Sequence, residues 1–380
     1  MAQLAQHPHE ALALYIHLPW CIKRCPYCDF NAHALKGSLP EQRYIQALKA
    51  DLTQTLKTLT PAPLISIFFG GGTPSLCAPE GIASILEHVN QSLTIPTECE
   101  ITLEANPGTL DQSKLLGFNH AGINRLSLGV QSFNDDALMA LGRIHNAQTA
   151  YATCQTALDL DFESVNIDLM FGVPHQTEQS LMDDLFTATQ LGFQHISWYE
   201  LTIEPNTAFA HQPPQRASRD QRAEWTALGQ TYLAQQGFEH YEISAFCKPG
   251  FQCQHNTWVW SFGDYLGIGA GAHSKLTDPN GIAQRWVRYK HPTSYMQHTS
   301  PIECSKTIQT QEYPFEFLLN RLRLFQPIPW NIANRFAGIH PTLPAMQTAF
   351  KEGLLLHHET SFELTERGRW FLDDLVALFL

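Results

Sequence analysis

Six short apolar runs recur along the first 205 residues, each rich in β-branched or aromatic side chains and bounded by turn-forming residues. Runs of this length and composition predict β-strands. The predicted strands are residues 12–18, 64–69, 99–104, 124–130, 164–169 and 195–201. Their nearly continuous hydrophobicity indicates that both faces of the sheet are covered, as in a parallel sheet flanked by helices.

Segments with the apolar period of a helix separate these runs, and each is long enough for a crossover connection. The predicted helices are residues 41–59, 79–93, 112–121 and 178–191. Strands and helices that alternate in this way predict an α/β fold with a parallel sheet, in the form of an open or closed α/β barrel.

The pattern changes after about residue 205, where a Pro-rich stretch leads to a predicted helix at 220–236, short strands and a Gly-rich turn. The last part of the chain is mainly helical, and it ends in a two-stranded wing and a helix that Thr365 would cap. We therefore predict three regions. They are 1–205, a barrel; 206–310, an extension of the barrel that carries HNTWVW, residues 255–260, as a loop; and 311–380, a helical, winged-helix-like α+β region.

Composition excludes several classes of protein. Hydrophobic residues make up 44% of the chain and charged residues 16%, so the chain can bury a full core. No apolar run approaches the roughly 18 residues of a membrane-spanning helix. The formal charge of −12 repels phosphate backbones, so no nucleic-acid partner is expected and the winged region is interpreted as a structural or partner surface. The first ten residues lack the pattern of a secretory signal, which predicts a cytoplasmic location.

Three of the nine cysteines, Cys21, Cys25 and Cys28, form a C-x3-C-x2-C motif directly after the first predicted strand. Structural zinc sites usually close with four ligands in two separated pairs, and no second pair lies nearby. A 4Fe-4S cluster takes one thiolate per iron, so three cysteines leave one iron open to an external ligand. The spacing therefore favours such a cluster, with three unrelated structural thiols as the alternative.

The motif, with an aromatic residue before its third cysteine, resembles the signature of the radical S-adenosylmethionine (SAM) superfamily. The resemblance implies a partial (β/α)6 barrel, a cluster held by the three cysteines, and SAM bound to the open iron. In that superfamily the reduced cluster cleaves the sulfonium of SAM to a 5′-deoxyadenosyl radical, while the protein positions the reacting groups. A second motif, GGGTPS at residues 70–75, follows the second strand and resembles the turn that holds the methionyl amino group.

The resemblance also implies a set of SAM-binding residues, most of them at or near strand ends, where barrel chemistry is usually built. The set is Tyr15, Tyr27, Gly71, Gly72, Thr73, Glu104, Gln131, Arg143 and Asp168. Glu104, Gln131 and Arg143 correspond to contacts with the methionyl part, and Asp168 to a contact with the ribose. These assignments are chemically sensible, because a guanidinium pairs well with a carboxylate and a carboxylate accepts hydrogen bonds from ribose hydroxyls. Taken singly, these four residues could each be a capping or salt-bridging side chain, and Tyr15 could be an ordinary strand aromatic.

Nearly the whole chain resembles the HemW-type haem chaperones, a family similar to the oxygen-independent coproporphyrinogen III oxidases. The oxidases extend the cysteine signature to C-x3-C-x2-C-x-C, whereas Phe30 stands at the fourth cysteine position here. The first interpretation is therefore a haem chaperone and the second a coproporphyrinogen III oxidase in porphyrin biosynthesis. A third is another radical SAM reaction on an unrelated small molecule. The sequence leaves open whether SAM is cleaved in turnover.

The segment HNTWVW, residues 255–260, resembles the HNxxYW motif that HemW-type proteins are thought to use around haem, with Val259 in place of the tyrosine. It suggests His255 as an axial haem ligand, because imidazole is a common ligand of haem iron, with Trp258 and Trp260 stacked on the porphyrin. The alternative is that His255 bonds to a loop carbonyl and the tryptophans belong to the core.

The resemblance implies three cofactors, a 4Fe-4S cluster, SAM and haem. It also implies two protein partners. One is a haem acceptor such as a membrane respiratory protein, and the other is an electron donor for the cluster. A homodimer is compatible with the resemblance, and the sequence leaves open whether haem attaches covalently.

Overall fold

The fold is described from a computed structural model that covers residues 11–59, 62–278 and 280–380. Its strands are β1 Leu12–Leu18, β2 Trp20–Cys21, β3 His33–Ala34, β4 Leu64–Gly71, β5 Glu100–Ala105, β6 Arg125–Gln131, β7 Ser164–Phe171, β8 His195–Glu200, β9 Glu239–Glu242, β10 Ala245–Cys247, β11 Tyr265–Ile268, β12 His273–Thr277, β13 Ala283–Arg288, β14 Ile302–Thr307, β15 Ile328–Pro329, β16 Leu355–His357 and β17 Ser361–Leu364.

The helices cover the sheet and form most of the C-terminal region. They are α1 Glu41–Thr55, α2 Pro79–Ser92, α3 Gln112–His120, α4 Asp135–Ala140, α5 Ala147–Leu158, α6 Glu178–Leu191, α7 Ala208–His211, α8 Arg219–Gln235, α9 Gln254–Trp260, α10 Pro292–Gln297, α11 Tyr313–Arg321, α12 Trp330–Ala337, α13 Pro344–Lys351, α14 Glu366–Trp370 and α15 Leu372–Ala377. Among the described residues, no helix combines the length and apolar character that crossing a bilayer requires.

The six predicted strands are confirmed, and they form a partial barrel. Strands β1, β4, β5, β6, β7 and β8 pair in that order, each parallel to the next. The sheet continues beyond both sides of this unit, because β11 pairs with β1 and β10 pairs with β8, so β1 and β8 do not close on each other. The α/β fold class is confirmed.

The predicted helices of the first 205 residues are also confirmed, but α4 and α5 were not predicted. Helix α5 reads AQTAYATCQTAL, where small residues take the buried positions and give little apolar contrast. Its start carries a local signal, because the side chain of Asn146 accepts the backbone N–H of Thr149.

Residues 206–310 extend the same sheet through β9–β14, in an order that runs β14, β13, β12 and β11 on one side and β10 and β9 on the other. The HNTWVW segment was expected to be a loop, and this is wrong, because it forms helix α9. The carboxylate of Glu100, on strand β5, accepts the backbone N–H groups of Gln254 and His255, each at 3.0 Å. A distant strand thus supplies the N-terminal cap that the local sequence lacks.

The C-terminal residues have a core of their own, built from Phe262 and from apolar side chains between Phe317 and Phe379. Strands β16 and β17 form the predicted wing, and β15 pairs with β17 to make a three-stranded sheet. Thr365 caps the following helix by accepting the N–H of Gly368 at 2.9 Å. The single final helix that was predicted is divided in two, because Phe371, at φ −115° and ψ 36°, separates α14 from α15.

Candidate functional site

The carboxyl ends of the parallel barrel strands surround a cavity of about 450 Å³, here called the main cavity. The structure brings eleven of the predicted site residues to its wall. They are Cys21, Cys25, Tyr27, Cys28, Gly71, Gly72, Thr73, Glu104, Gln131, Arg143 and Asp168. Two predicted residues, Tyr15 and His255, lie elsewhere in the barrel.

The three cysteines lie on residues 21–32, here called the cysteine loop. This loop connects β2 to β3, and the pairing of these two strands closes it at its base. Cys21 is buried at the end of β2, whereas Cys25 and Cys28 are half-buried, and the N–H of Cys28 donates to the carbonyl of Cys25 at 3.2 Å. Burial, followed by the neighbouring thiols, raises the pKa of Cys21 to about 11, and burial also raises the pKa of Cys28. A metal that binds these two sulfurs must therefore displace their protons.

The donor set fits an iron–sulfur cluster better than a single metal ion. Among the described residues, no three Cys, His, Asp or Glu side chains converge on a point where one ion could be held. A 4Fe-4S cluster does not need such a point, because each thiolate binds a different iron. Three thiols spread along one loop at the cavity wall match that requirement, and they do not match the closed tetrahedral site of structural zinc.

The glycine-rich turn packs the end of β4 against the start of the cysteine loop. Gly71 has φ +123°, and a Cβ there would lie 2.8 Å from the carbonyl oxygen of Leu18. A Cβ on Gly72 would lie 2.5 Å from the carbonyl oxygen of Trp20. The glycines therefore allow close backbone packing, and that packing places Thr73 at the main cavity.

Two half-buried carboxyl groups, Glu104 and Asp168, face the main cavity. Burial and the charge of Asp168 raise the pKa of Glu104 to about 8, although the N–H of Gly71 donates to its Oε2 at 3.1 Å and acts in the opposite direction. Burial also raises the pKa of Asp168, whose Oδ1 accepts a hydrogen bond from Asn166 at 2.7 Å. Without a bound cation, Glu104 is therefore mainly protonated near neutral pH, and a ligand ammonium would favour its ionised form.

Gln131 and Arg143 also line the main cavity. Gln131 ends β6 at φ +74°, beside an irregularity in the β6–β7 register, and its Oε1 accepts the hydroxyl of Tyr199 at 2.9 Å. Arg143 donates from Nη2 to the carbonyl of Gly129 at 2.5 Å and from Nη1 to the sulfur of Cys25 at 3.6 Å. Its buried Nε has no hydrogen-bond partner among the described residues. This guanidinium is therefore available to an anionic group next to the cysteine loop.

A second cavity of about 330 Å³ lies inside the barrel, here called the lumen chamber. Its walls include Phe68, Arg125, His195, His255, Asn256 and Trp260. Arg125 and His195 are the first residues of their strands, so the chamber reaches towards the amino ends of the barrel. It shares with the main cavity the wall residues Glu104, Ser127, Asp168, Ser197 and Asn256.

The chamber holds the two predicted residues that are absent from the main cavity. The hydroxyl of Tyr15 bonds to Nδ1 of His17 at 2.9 Å, and a Cβ on Gly70 would lie 2.9 Å from its ring, so Tyr15 lies directly beneath the glycine turn. His255 is only 7% exposed, and its Nδ1 lies 2.9 Å from the hydroxyl of Ser66. Burial, with a smaller contribution from Arg125, lowers the pKa of His255 to about 3, so the ring is neutral.

The two tryptophans of the motif differ in their surroundings. Trp258 is 2% exposed, and its indole N–H donates to the carbonyl of Asp264 at 2.8 Å. In this arrangement the ring belongs to the protein core, which is the alternative stated for the tryptophans, so stacking of Trp258 on a porphyrin would require α9 to move. Trp260 is half-buried beside the guanidinium of Arg323, with 4.4 Å to its ring centroid.

Residues inside the strands were missed by the sequence analysis, which considered polar side chains near strand ends. Arg125 and Ser127 alternate on β6, and Asn166 and Asp168 alternate on β7. Residues two apart lie on one face of a strand, so polar pairs at this spacing in otherwise apolar strands indicate a polar barrel interior. That signal could have identified Arg125, Ser127 and Asn166, which the sequence analysis missed; Asp168 was already in the predicted set.

Comparisons with known proteins agree with this geometry. The model of the Radical SAM superfamily matches residues 15–188. A protein of Haemophilus influenzae named heme chaperone HemW is 44% identical over 375 residues, which cover 97% of this chain and 98% of that protein. The proteins of the same name from Escherichia coli and Bacillus subtilis are 41% and 32% identical over 97% and 96% of this chain, and 98% of each of those proteins is covered.

Among solved structures, the coproporphyrinogen III oxidase HemN of Escherichia coli, described as a radical SAM enzyme, is similar over 99% of this chain and 91% of its own, with a TM-score of 0.84. At 21% identity, this similarity shows a shared fold. The relatives of 32–44% identity show more, because the similarity extends over almost the full length of both proteins. The chain belongs to the radical SAM family of proteins named heme chaperone HemW.

Proposed function

We propose that this chain is a haem chaperone that binds haem and transfers it to an acceptor protein, and that it also holds a 4Fe-4S cluster and SAM. The observation that carries the proposal is the similarity, over 96–97% of the chain, to relatives named heme chaperone HemW. The similarity spans the cysteine loop, the main cavity and the HNTWVW helix alike.

The residues of the main cavity suit the two small cofactors. Cys21, Cys25 and Cys28 would hold the cluster, which together with SAM supplies one-electron chemistry when bound. Glu104 would accept the methionyl ammonium, and the unpaired Nε of Arg143 would donate towards the methionyl carboxylate. The remaining members of the predicted set, Tyr27, Gly71, Gly72, Thr73, Gln131 and Asp168, line the same cavity, and Tyr15 supports the glycine turn from below.

The rim of the main cavity favours a chaperone over an oxidase. Phe30, at the position of the oxidases' fourth cysteine, is 64% exposed and cannot act as a metal ligand. Ile22, which lines the same cavity, is 49% exposed, and the exposed cations Lys23 and Arg24 also line it. Apolar side chains next to cations suit an amphiphilic anion such as haem, with its flat macrocycle and two propionates.

His255 is the proposed axial ligand of the haem, and its position sets a condition on this role. The imidazole is buried in the lumen chamber and bonded to Ser66, and α9 is held by the Glu100 carboxylate. Ligation of haem by His255 therefore requires α9 to move out of the barrel.

We further propose that the acceptor is a membrane respiratory protein, that a separate protein donates the electron for the cluster, and that SAM with the reduced cluster promotes a homodimer. The chaperone would act in the cytoplasm, where its cysteines stay reduced. These points depend on the family resemblance.

An anaerobic titration of the cluster-reconstituted protein with haem, followed by the Soret band, tests the haem proposal. Saturation near one haem per chain is expected for the unmodified protein, and weaker binding with a shifted Soret band for His255→Ala. The matched control is His120→Ala, at an exposed position on the outside of the barrel. Absence of saturable binding in the unmodified protein contradicts the proposal. Unchanged affinity and spectrum in His255→Ala would remove His255 from the site.

A further inference from the structure

Arg125 contributes a buried, positively charged wall to the lumen chamber. Arg125 is 3% exposed, and its guanidinium Nε has no hydrogen-bond partner among the described residues. One ion pair with a described residue involves this group, at 3.7 Å between Nε and Oε2 of Glu100. A guanidinium stays protonated even when buried, so its donors need acceptors inside the chamber.

Glu100 does not satisfy those donors, because α9 holds its carboxylate at 3.7 Å from the guanidinium. The oxygens of Glu100 accept the N–H groups of Gln254 and His255 at 3.0 Å each, and the thiol of Cys253 lies 3.4 Å from Oε1. At 3.7 Å the contact with Arg125 is a charge interaction without a hydrogen bond. The Glu100 carboxylate thus compensates part of the charge of Arg125, but it accepts no hydrogen bond from the guanidinium.

The other groups near Arg125 are also engaged. Both ring nitrogens of His195 are bonded, Nδ1 to Asn166 at 2.6 Å and Nε2 to the hydroxyl of Tyr241 at 2.8 Å. Asp168 accepts hydrogen bonds from Asn166 and from Ser127. The described part of the chain thus leaves Arg125 without a free acceptor, and a molecule bound in the chamber can supply one.

The chamber indicates what this acceptor is. A planar guanidinium matches the two oxygens of a carboxylate, which it can bind through two parallel hydrogen bonds. The chamber volume of about 330 Å³ is at the lower end for ligand pockets, and Phe68, Val259 and Trp260 give it an apolar side. We infer that the lumen chamber binds the carboxylate of a small organic acid, or a carboxylate arm of a larger ligand, on Arg125.

Propionate is the probe for this site, and its neutral counterpart propionamide is the control ligand. Binding is measured by calorimetry on the cluster-reconstituted protein with saturating SAM, so that Arg143 in the main cavity is occupied. We expect one propionate per chain and no binding of propionamide. Arg125→Gln should weaken propionate binding by about tenfold or more, because a charge-assisted hydrogen bond is lost.

Two further variants keep the test decisive. Arg125→Lys retains the charge but loses the planar fork, so it should also bind propionate less tightly, and it serves alone if Arg125→Gln does not fold. Arg43→Gln, at an exposed position on α1, should bind like the unmodified protein. Equal binding of propionamide, unchanged binding in both Arg125 variants, or equally tight binding of chloride would overturn the inference.

Haem and its dimethyl ester distinguish the two sources of the carboxylate. If a propionate arm of haem occupies the chamber, Arg125→Lys weakens haem binding but not binding of the ester, and haem displaces propionate. If a free acid occupies it, haem and propionate bind together and Arg125→Lys leaves haem affinity unchanged. The propionate experiment does not depend on haem, so a failure of the chaperone proposal leaves it intact.

Discussion

Replacing Glu104 with glutamine should change how the stability of the ligand-free protein depends on pH. The folded protein holds the pKa of Glu104 at about 8 through burial and the charge of Asp168, whereas the unfolded chain has a pKa of about 4.3 for this group. Between these values the folded state keeps a proton that the unfolded state has released. The contribution of Glu104 is therefore greatest below the lower pKa, and it decreases as pH rises towards 8.

The size of the effect follows from the linkage relation. Each pH unit in this interval costs at most about 1.4 kcal/mol, so the upper bound across it is about 5 kcal/mol. The Glu104 side chain is half-buried at the wall of the main cavity, so solvent stabilises the ionised carboxylate and reduces this value. Between about pH 5 and pH 8, we expect the free energy of unfolding of Glu104→Gln to rise by roughly 2 kcal/mol relative to that of the unmodified protein.

Glutamine isolates the charge, because its amide oxygen can still accept the N–H of Gly71. The assay is urea unfolding of the metal-free and SAM-free protein at a series of pH values. The control is Glu178→Gln, an exposed residue in the first turn of α6, whose stability profile should run parallel to that of the unmodified protein. Parallel profiles for Glu104→Gln and the unmodified protein would refute the reasoning, since they would show that the pKa of Glu104 is the same in the folded and the unfolded protein.

The same pKa determines the pH dependence of SAM binding by the reconstituted protein. A methionyl ammonium pairs with the ionised carboxyl, so binding below pH 8 includes release of the proton from Glu104. SAM affinity should therefore rise with pH, by at most about tenfold per pH unit, and it should level off above about pH 8. Glu104→Gln should bind SAM more weakly and without this dependence.

Two more predictions concern the cysteine loop and the turn beside it. Cys21→Ser should lose the brown absorbance of the reconstituted cluster, whereas Cys304→Ser, at an exposed position, should keep it; a full cluster in the first variant would contradict the ligand assignment. Gly71→Ala should lower the free energy of unfolding by about 2 kcal/mol or more, because a side chain there meets backbone as well as an unfavourable φ of +123°. Gly250→Ala is the control, because Gly250 also has a positive φ, +92°, but an added Cβ there would have no atom within 4 Å. This variant should lower the free energy of unfolding by about 1 kcal/mol. Equal losses in urea unfolding would show that packing at Gly71 is unimportant.

The barrel could be predicted because its strands are buried on both faces. Residues 164–169, for example, read SVNIDL, and the structure has β7 at Ser164–Phe171. The main cavity could be predicted for a related reason, since the carboxyl ends of parallel strands meet at one edge of a sheet. This is why Glu104 on β5 and Asp168 on β7 come together although they are 64 positions apart in the sequence.

The interior of the barrel could not be predicted in the same way, because it depends on contacts between distant segments. Helix α9 has no capping side chain of its own, and its cap is the carboxylate of Glu100, about 150 residues earlier. That contact decides whether HNTWVW is a surface loop or a helix inside the barrel. It also decides that His255 faces Ser66, which no local pattern around residue 255 indicates.

A chain of hydrogen bonds inside the barrel connects α9 to the proposed ribose contact. The N–H of Cys253 donates to the hydroxyl of Tyr241 at 3.2 Å, which lies 2.8 Å from Nε2 of His195. Nδ1 of His195 lies 2.6 Å from Oδ1 of Asn166, whose amide nitrogen donates to Asp168 at 2.7 Å. Burial lowers the pKa of His195, so the ring is neutral, and the amide oxygen requires the proton on Nδ1. Every donor in the chain then has one acceptor, and the orientation of Asp168 depends on the position of α9.

Movement of α9 out of the barrel to bring His255 to a haem would remove the first donor of this chain. Haem ligation by His255 and SAM binding at Asp168 would therefore oppose each other through the barrel interior, without contact between the two ligands.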